Sequence, residues 1–180
     1  METDLNAREL YGGAITINLP ANLIDASDLR QVPDAQEVFL DPHSDISYIF
    51  EVLDRVEPDE PEEAAKFHFE SIAQDSSAQS HDIHGTVVPN EQPESPPNTP
   101  LPIILSGIQK VAKFNRDTLD DVFIFLALFR LTAKPHDIVF VLNIPATPTT
   151  TDVSLNAAKK TFSEMVNSLR IVDFGLFAEG

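Results

Sequence analysis

The chain is 180 residues long and carries 29 acidic against 12 basic side chains, a formal net charge of −17. That field repels phosphate and so argues against nucleic acid or an anionic membrane surface as a direct ligand, and the absence of cysteine excludes disulfides, thiol nucleophiles and thiolate zinc sites. With 42% hydrophobic residues the chain can still build a core, and its length suits a single domain over residues 1–180.

In chain order, Leu10 to Leu19 (LYGGAITINL) reads as one strand, with Gly12-Gly13 as a bulge. Asp25 to Val32 reads as a short helical turn or loop, and Gln36 to Leu40 as a strand ending at Asp41-Pro42. Ser44 is placed to cap a helix with Ile46, Ile49, Phe50, Leu53 and Val56 on one face, stopped by Glu57-Pro58. A second helix begins near Asp59, where Glu62 completes a capping box and Pro61 lies in the first turn; Ala65, Phe69 and Ile72 form its apolar side. From Gln79 to Pro102 six prolines and few large apolar groups predict a flexible loop inside the domain. Ile103 to Phe114 reads as a strand, with Ile108, Ala112 and Phe114 on one parity. Val122 to Leu131 is apolar on both parities, which predicts a central strand covered on both faces. Lys134-Pro135-His136 then turns the chain into an antiparallel partner, Asp137 to Ile144. Asp152 opens a helix with Leu155, Ala158, Phe162, Met165, Val166 and Leu169 on one side, and Leu169 to Phe177 reads as a final strand. The expected fold is α/β: a three-layer α/β/α sandwich around a mostly antiparallel sheet of about six strands.

The charge is unevenly spread. Residues Met1 to Asn90 hold 19 acids and 4 bases, whereas Glu91 to Gly180 hold 10 acids and 8 bases. A field of this kind steers association with basic partners. Asp25, Asp28, Asp34 and Glu37 lie close together in IDASDLRQVPDAQEVF, where paired carboxylates could serve as acid and base or hold a hard cation. The plainer reading is that Asp25 or Asp28 caps the turn and Asp34 serves the bend after Pro33. His81 and His84 lack further ligands nearby, and no phosphate loop, dinucleotide fingerprint or nucleophile elbow occurs. Neither a cofactor nor a catalytic group is expected. No apolar run approaches the ~20 residues needed to cross a bilayer, and METDLNAREL lacks the pattern of a signal peptide; a soluble intracellular protein is expected.

Two runs are more specific: Leu10-Tyr11-Gly12-Gly13-Ala14-Ile15, and Asp28-Leu29-Arg30-Gln31-Val32-Pro33-Asp34-Ala35-Gln36-Glu37-Val38-Phe39. With the run Ser106 to Phe114, the run Leu126 to Leu131 and the ending Asp173-Phe174-Gly175-Leu176-Phe177, the chain resembles the Ran guanine nucleotide release factor family, the Mog-type proteins with a PsbP-like fold. The resemblance spans nearly everything outside Gln79 to Pro102, with Ala35 in place of an expected asparagine. It implies a non-enzymatic regulator of the small GTPase Ran in nuclear protein import. Such a protein binds Ran, promotes nucleotide release and stabilises the empty form. The resemblance places the family's Ran-binding acids on Asp34 and Glu37, with Asp25 and Asp28 as less secure neighbours. It also implies nuclear and cytoplasmic residence, and a monomer on its own is expected. The alternative is an adaptor of the same fold acting on a different protein.

Overall fold

Strand register organises the molecule. The computed structural model describes residues 4–93, 98–112, 119–131 and 134–177. Among the described residues ten strands, β1 (Leu5–Leu10), β2 (Ile15–Pro20), β3 (Ile24–Asp25), β4 (Gln36–Leu40), β5 (Ser47–Asp54), β6 (Ser80–Val87), β7 (Ile103–Ala112), β8 (Leu119–Arg130), β9 (His136–Pro145) and β10 (Arg170–Ile171), accompany helices α1 (Pro61–Asp75) and α2 (Asp152–Ser168). A seven-stranded sheet runs β3-β4-β5-β9-β8-β7-β6, and a small one runs β1-β2-β10. Every pairing is antiparallel.

The run Val122 to Leu131 sits well inside the large sheet, as its two apolar parities predict. Ile124, Leu126 and Leu128 face α1, where Ala64, Ala65 and Phe69 cover them. Phe125, Ala127 and Phe129 face the opposite layer, formed by α2 and by Leu10, Ile15, Ile17 and Leu19 of the small sheet. Two helices on opposite faces of a mostly antiparallel sheet give the α/β/α arrangement expected. A stack of Phe50 on Phe140, with centroids 4.2 Å apart, and Phe162 beyond at 5.1 Å, links β5, β9 and α2. Each such ring contributes ~1.5–3 kcal/mol by burial. Gly107 lets α1 approach β7, because a Cβ there would lie 2.8 Å from Phe69 Cζ and 2.6 Å from the Asp82 carbonyl.

One buried polar cluster fixes the β5–α1 connection. Asp137, fully buried, accepts from Arg130 Nε at 3.0 Å on Oδ1, while Oδ2 accepts from the Val56 N–H at 3.2 Å and lies 2.9 Å from His68 Nε2. Arg130 also donates to the carbonyls of Pro58 and Val56. Burial alone would raise the Asp137 carboxyl. The hydrogen bonds from His68 and Arg130, the Arg130 charge and the Val56 N–H outweigh it and hold the group below the ordinary carboxylate range.

Five expectations need correction. Ile46 to Val56 is not a helix: β5 occupies Ser47–Asp54, with Tyr48 and Phe50 turned to the α2 layer and Leu53 to the α1 layer. Apolar groups on both faces of a strand imitate helical spacing. Leu10 to Leu19 is not one strand but a β1–β2 hairpin, turning through Tyr11–Gly13 at positive φ. Ser80–Val87, assigned to the loop Gln79 to Pro102, is an edge strand on β7 with an irregularity between Ile83 and Gly85. Leu169 to Phe177 contains only the two-residue β10 and a closing 3-10 turn, Phe174–Phe177. No capping box opens α1, whose N-cap is Glu60 with Pro61 following. By contrast α2 does have one, between Thr151 and Ser154. Phe114, expected at the end of the strand Ile103 to Phe114, lies outside the described residues.

Candidate functional site

The four acids named from sequence fall on β3, β4 and the segment joining them. Asp25 ends β3 and caps the turn Ala26–Asp28, its carboxylate accepting from the N–H and hydroxyl of Ser27 at 2.9 and 2.7 Å. Asp28 closes that turn and is exposed. Asp34 is exposed two residues before β4, and among the described residues it makes no hydrogen bond or ion pair. Glu37 is the second residue of β4 and half-buried.

Pairing of Asp25 with Phe39 puts Asp25 and Glu37 on one face of the sheet as diagonal neighbours, roughly 7–8 Å apart at Cα. Phe39 lies between them, with the Arg8 guanidinium 4.7 Å from its ring centroid. The structure therefore groups Asp25 and Glu37 on that face, and brings Asp28 and Asp34 to the adjoining surface through their loops. That cation, from the first strand, also donates to the Leu23 carbonyl just before β3.

Glu37 has a structural task that sequence reading did not find. Its Oε1 accepts the Tyr11 N–H at 2.9 Å, and the Tyr11 hydroxyl donates to the Ala35 carbonyl at 2.9 Å. Tyr11 has φ +51, a conformation that costs a non-glycine residue ~1 kcal/mol or more. The Ala35–Glu37 segment thus clamps the strained hairpin turn from both ends. Burial raises the Tyr11 hydroxyl well above its ordinary value, and the charges of Glu37 and Glu51 raise it further, so the phenol stays a neutral donor. The one hint of this contact in the sequence is the Gly12-Gly13 pair after Tyr11, which marks a turn but not its partner.

The chemistry available is that of fixed anionic recognition. Exposed Asp34 and Asp28 can pair with incoming cations, and Glu37 keeps a second oxygen beyond its bond to Tyr11. His81 and His84 lie on edge strand β6, away from these carboxylates in the sheet order.

Residues 8–145 match the family described as Ran-interacting Mog1 protein. Over 181 residues the chain is 32% identical to the Ran guanine nucleotide release factor of Danio rerio, covering 95% of this chain and 99% of that protein. It is 35% identical over 180 residues to the Ran guanine nucleotide release factor of Homo sapiens, covering 93% and 94% respectively. The crystal structure of the Saccharomyces cerevisiae Ran-binding protein Mog1p superposes with a TM-score of 0.80 at 27% identity, covering 98% of this chain and all of that one.

Proposed function

Because this chain belongs to the Ran-interacting Mog1 family, we propose that it binds the GTPase Ran, promotes loss of its guanine nucleotide and stabilises the nucleotide-free form in support of nuclear protein import. It acts as a regulator and not as a catalyst, and resides in the nucleus and also the cytoplasm. The contact surface is formed by Asp34 and Glu37, flanked by Asp25 and Asp28. The observation that carries this assignment is the exposure of Asp34 beside a half-buried Glu37, in the half of the chain with nearly all of the net negative charge.

A release factor forms no bond. It must bind the empty GTPase more tightly than the loaded one, typically by ~1–3 kcal/mol, and nucleotide then weakens its hold by the same factor. Carboxylates suit this role because lysine and Mg²⁺ of a GTPase nucleotide site ordinarily hold phosphate. Asp34 and Glu37 compete for such cationic groups as phosphate leaves. The clamp on Tyr11 sets Glu37 in place beforehand, which lowers the ordering cost on binding.

Release of a fluorescent guanine nucleotide from Ran, followed with and without this protein, tests the reading. Acceleration is expected; an unchanged rate rejects it. The residue assignment is tested apart, by titrating nucleotide-free Ran with a variant carrying Asp34→Ala and Glu37→Ala. Undiminished affinity would reject those residues while leaving the activity standing.

A further inference from the structure

The opposite face of the large sheet carries a second surface. A seven-stranded sheet is about 29 Å across, whereas a helix with its side chains covers about 10 Å. Helix α1 packs on β6, β7 and β8, and no other helix lies on this face among the described residues. Beside α1 the β5–β9 strip forms an open groove of about 470 Å³. Half-buried Ile49, Leu53, Ile72 and Val122 supply its apolar surface, above the buried Val139 and Val141. Three carboxylates, Asp45, Glu51 and Asp75, also line it, with no lysine or arginine among its described lining residues. Asp45 and Asp75 are exposed, and Glu51 is half-buried and accepts from Gln36.

We propose that this groove docks an amphipathic helix of a partner protein, apolar on the face laid against β5 and β9 and rich in lysine or arginine along its flanks. The dimensions fit, since Val139 to Pro145 extends about 20 Å along β9, nearly four helical turns. A helix beside α1 at the usual spacing of about 8–10 Å would complete the layer. Charge decides its composition, because an acidic helix would be repelled by the three carboxylates, and a second copy of this chain would bring a further charge of −17. The groove is separate from the surface proposed for Ran. Gln36 and Glu51, which line it, are paired across β4 and β5, whereas Glu37 pairs with Phe50 on the reverse face.

The probe is a labelled synthetic helix of about 14 residues with leucines at i, i+3, i+4 and i+7 and lysines on its flanks, titrated against the full chain at physiological salt by fluorescence anisotropy. Saturable binding is expected, weakened roughly tenfold or more in Glu51→Lys combined with Asp75→Lys and unchanged in Asp34→Ala. Asp75→Lys falls in the last turn of α1, where a cation suits the helix terminus. Should the double variant lose its cooperative melt, Asp75→Lys alone serves, with a loss of roughly threefold or more expected. Several results would overturn the proposal: no binding, equal binding to the charge-reversed variant, equal binding of a scrambled peptide, or weakening by Asp34→Ala. Dimerisation of the chain itself that is abolished by the same lysines would assign the groove to a second copy, and would overturn it too.

Discussion

Glu37 is expected to have two separable roles, one in holding a turn and one in meeting a partner. Replacing it by alanine removes the acceptor of the Tyr11 N–H, a 2.9 Å bond to a charged group, and leaves a residue at φ +51 with its hydroxyl bond to Ala35 and the Ala14 N–H on its carbonyl. Bonds of this kind contribute ~1.5–3 kcal/mol, so Glu37→Ala should destabilise the fold by about 2 kcal/mol. For a chain of this size that is a fall of about 4–8 °C in Tm. Glu37→Gln keeps a carbonyl oxygen for the same N–H and discards only the charge, so it should melt within ~2–3 °C of the parent. Both variants should bind nucleotide-free Ran roughly tenfold more weakly, about 1.4 kcal/mol. Melting followed by circular dichroism and a titration against nucleotide-free Ran measure the two effects independently. If glutamine matches the parent in affinity, the charge has no part in recognition. If glutamine and alanine melt together well below the parent, the clamp is not what Glu37 contributes to stability.

Four further outcomes follow from the packing and the charge. Asp137→Ala strands Arg130 in a buried setting and should cost about 3–5 kcal/mol, read as a lowered denaturation midpoint; an effect below ~1 kcal/mol would deny the cluster its anchoring role. Because the Asp137 carboxyl is held below its ordinary value, its contribution is complete above that value and disappears as pH falls through the native one, so stability should decline on acidification below about pH 4, and less in Asp137→Asn. Gly107→Ala forces a methyl against Phe69 and the Asp82 carbonyl and should destabilise by about 1–3 kcal/mol in chemical denaturation, with Gly85→Ala, which meets nothing within 4 Å, as the mild control. Association with Ran measured by stopped flow should slow about tenfold or more from low to physiological ionic strength, and a salt-independent rate would count against electrostatic steering.

The central strands were legible because their chemistry is redundant. Val122 to Leu131 is apolar at almost every position and could only be covered on both sides. The same redundancy concealed β5, where Ile46, Ile49, Phe50, Leu53 and Val56 fit a helix as well as a doubly covered strand, and length alone did not separate them. β6 was hidden for the opposite reason: it is largely exposed at the sheet edge, so no apolar alternation marks it. Within the candidate site, the acids and their turn were readable from Asp25 to Glu37. The tie between Glu37 and Tyr11 spans 26 positions, and the pairing of His68 with Asp137 spans 69. Contacts at such separations leave no local pattern.

The small sheet sets an order of events during synthesis. Its middle strand, β2, takes one neighbour from residues made just before it and the other from Arg170–Ile171, with Ile15 opposite Ile171. The Asn18 N–H further depends on the Ser168 hydroxyl, and the Val172 N–H reaches back to the Ala14 carbonyl. A nascent polypeptide thus displays its first hairpin long before the ribosome delivers the piece that locks it. The stretch that follows the turn, Ala14 to Asn18, rests on that late piece, whereas the turn itself is held by the early segment Ala35–Glu37. A chain that stops before Arg170 would keep the β1–β2 hairpin but leave the other edge of β2 without its neighbour.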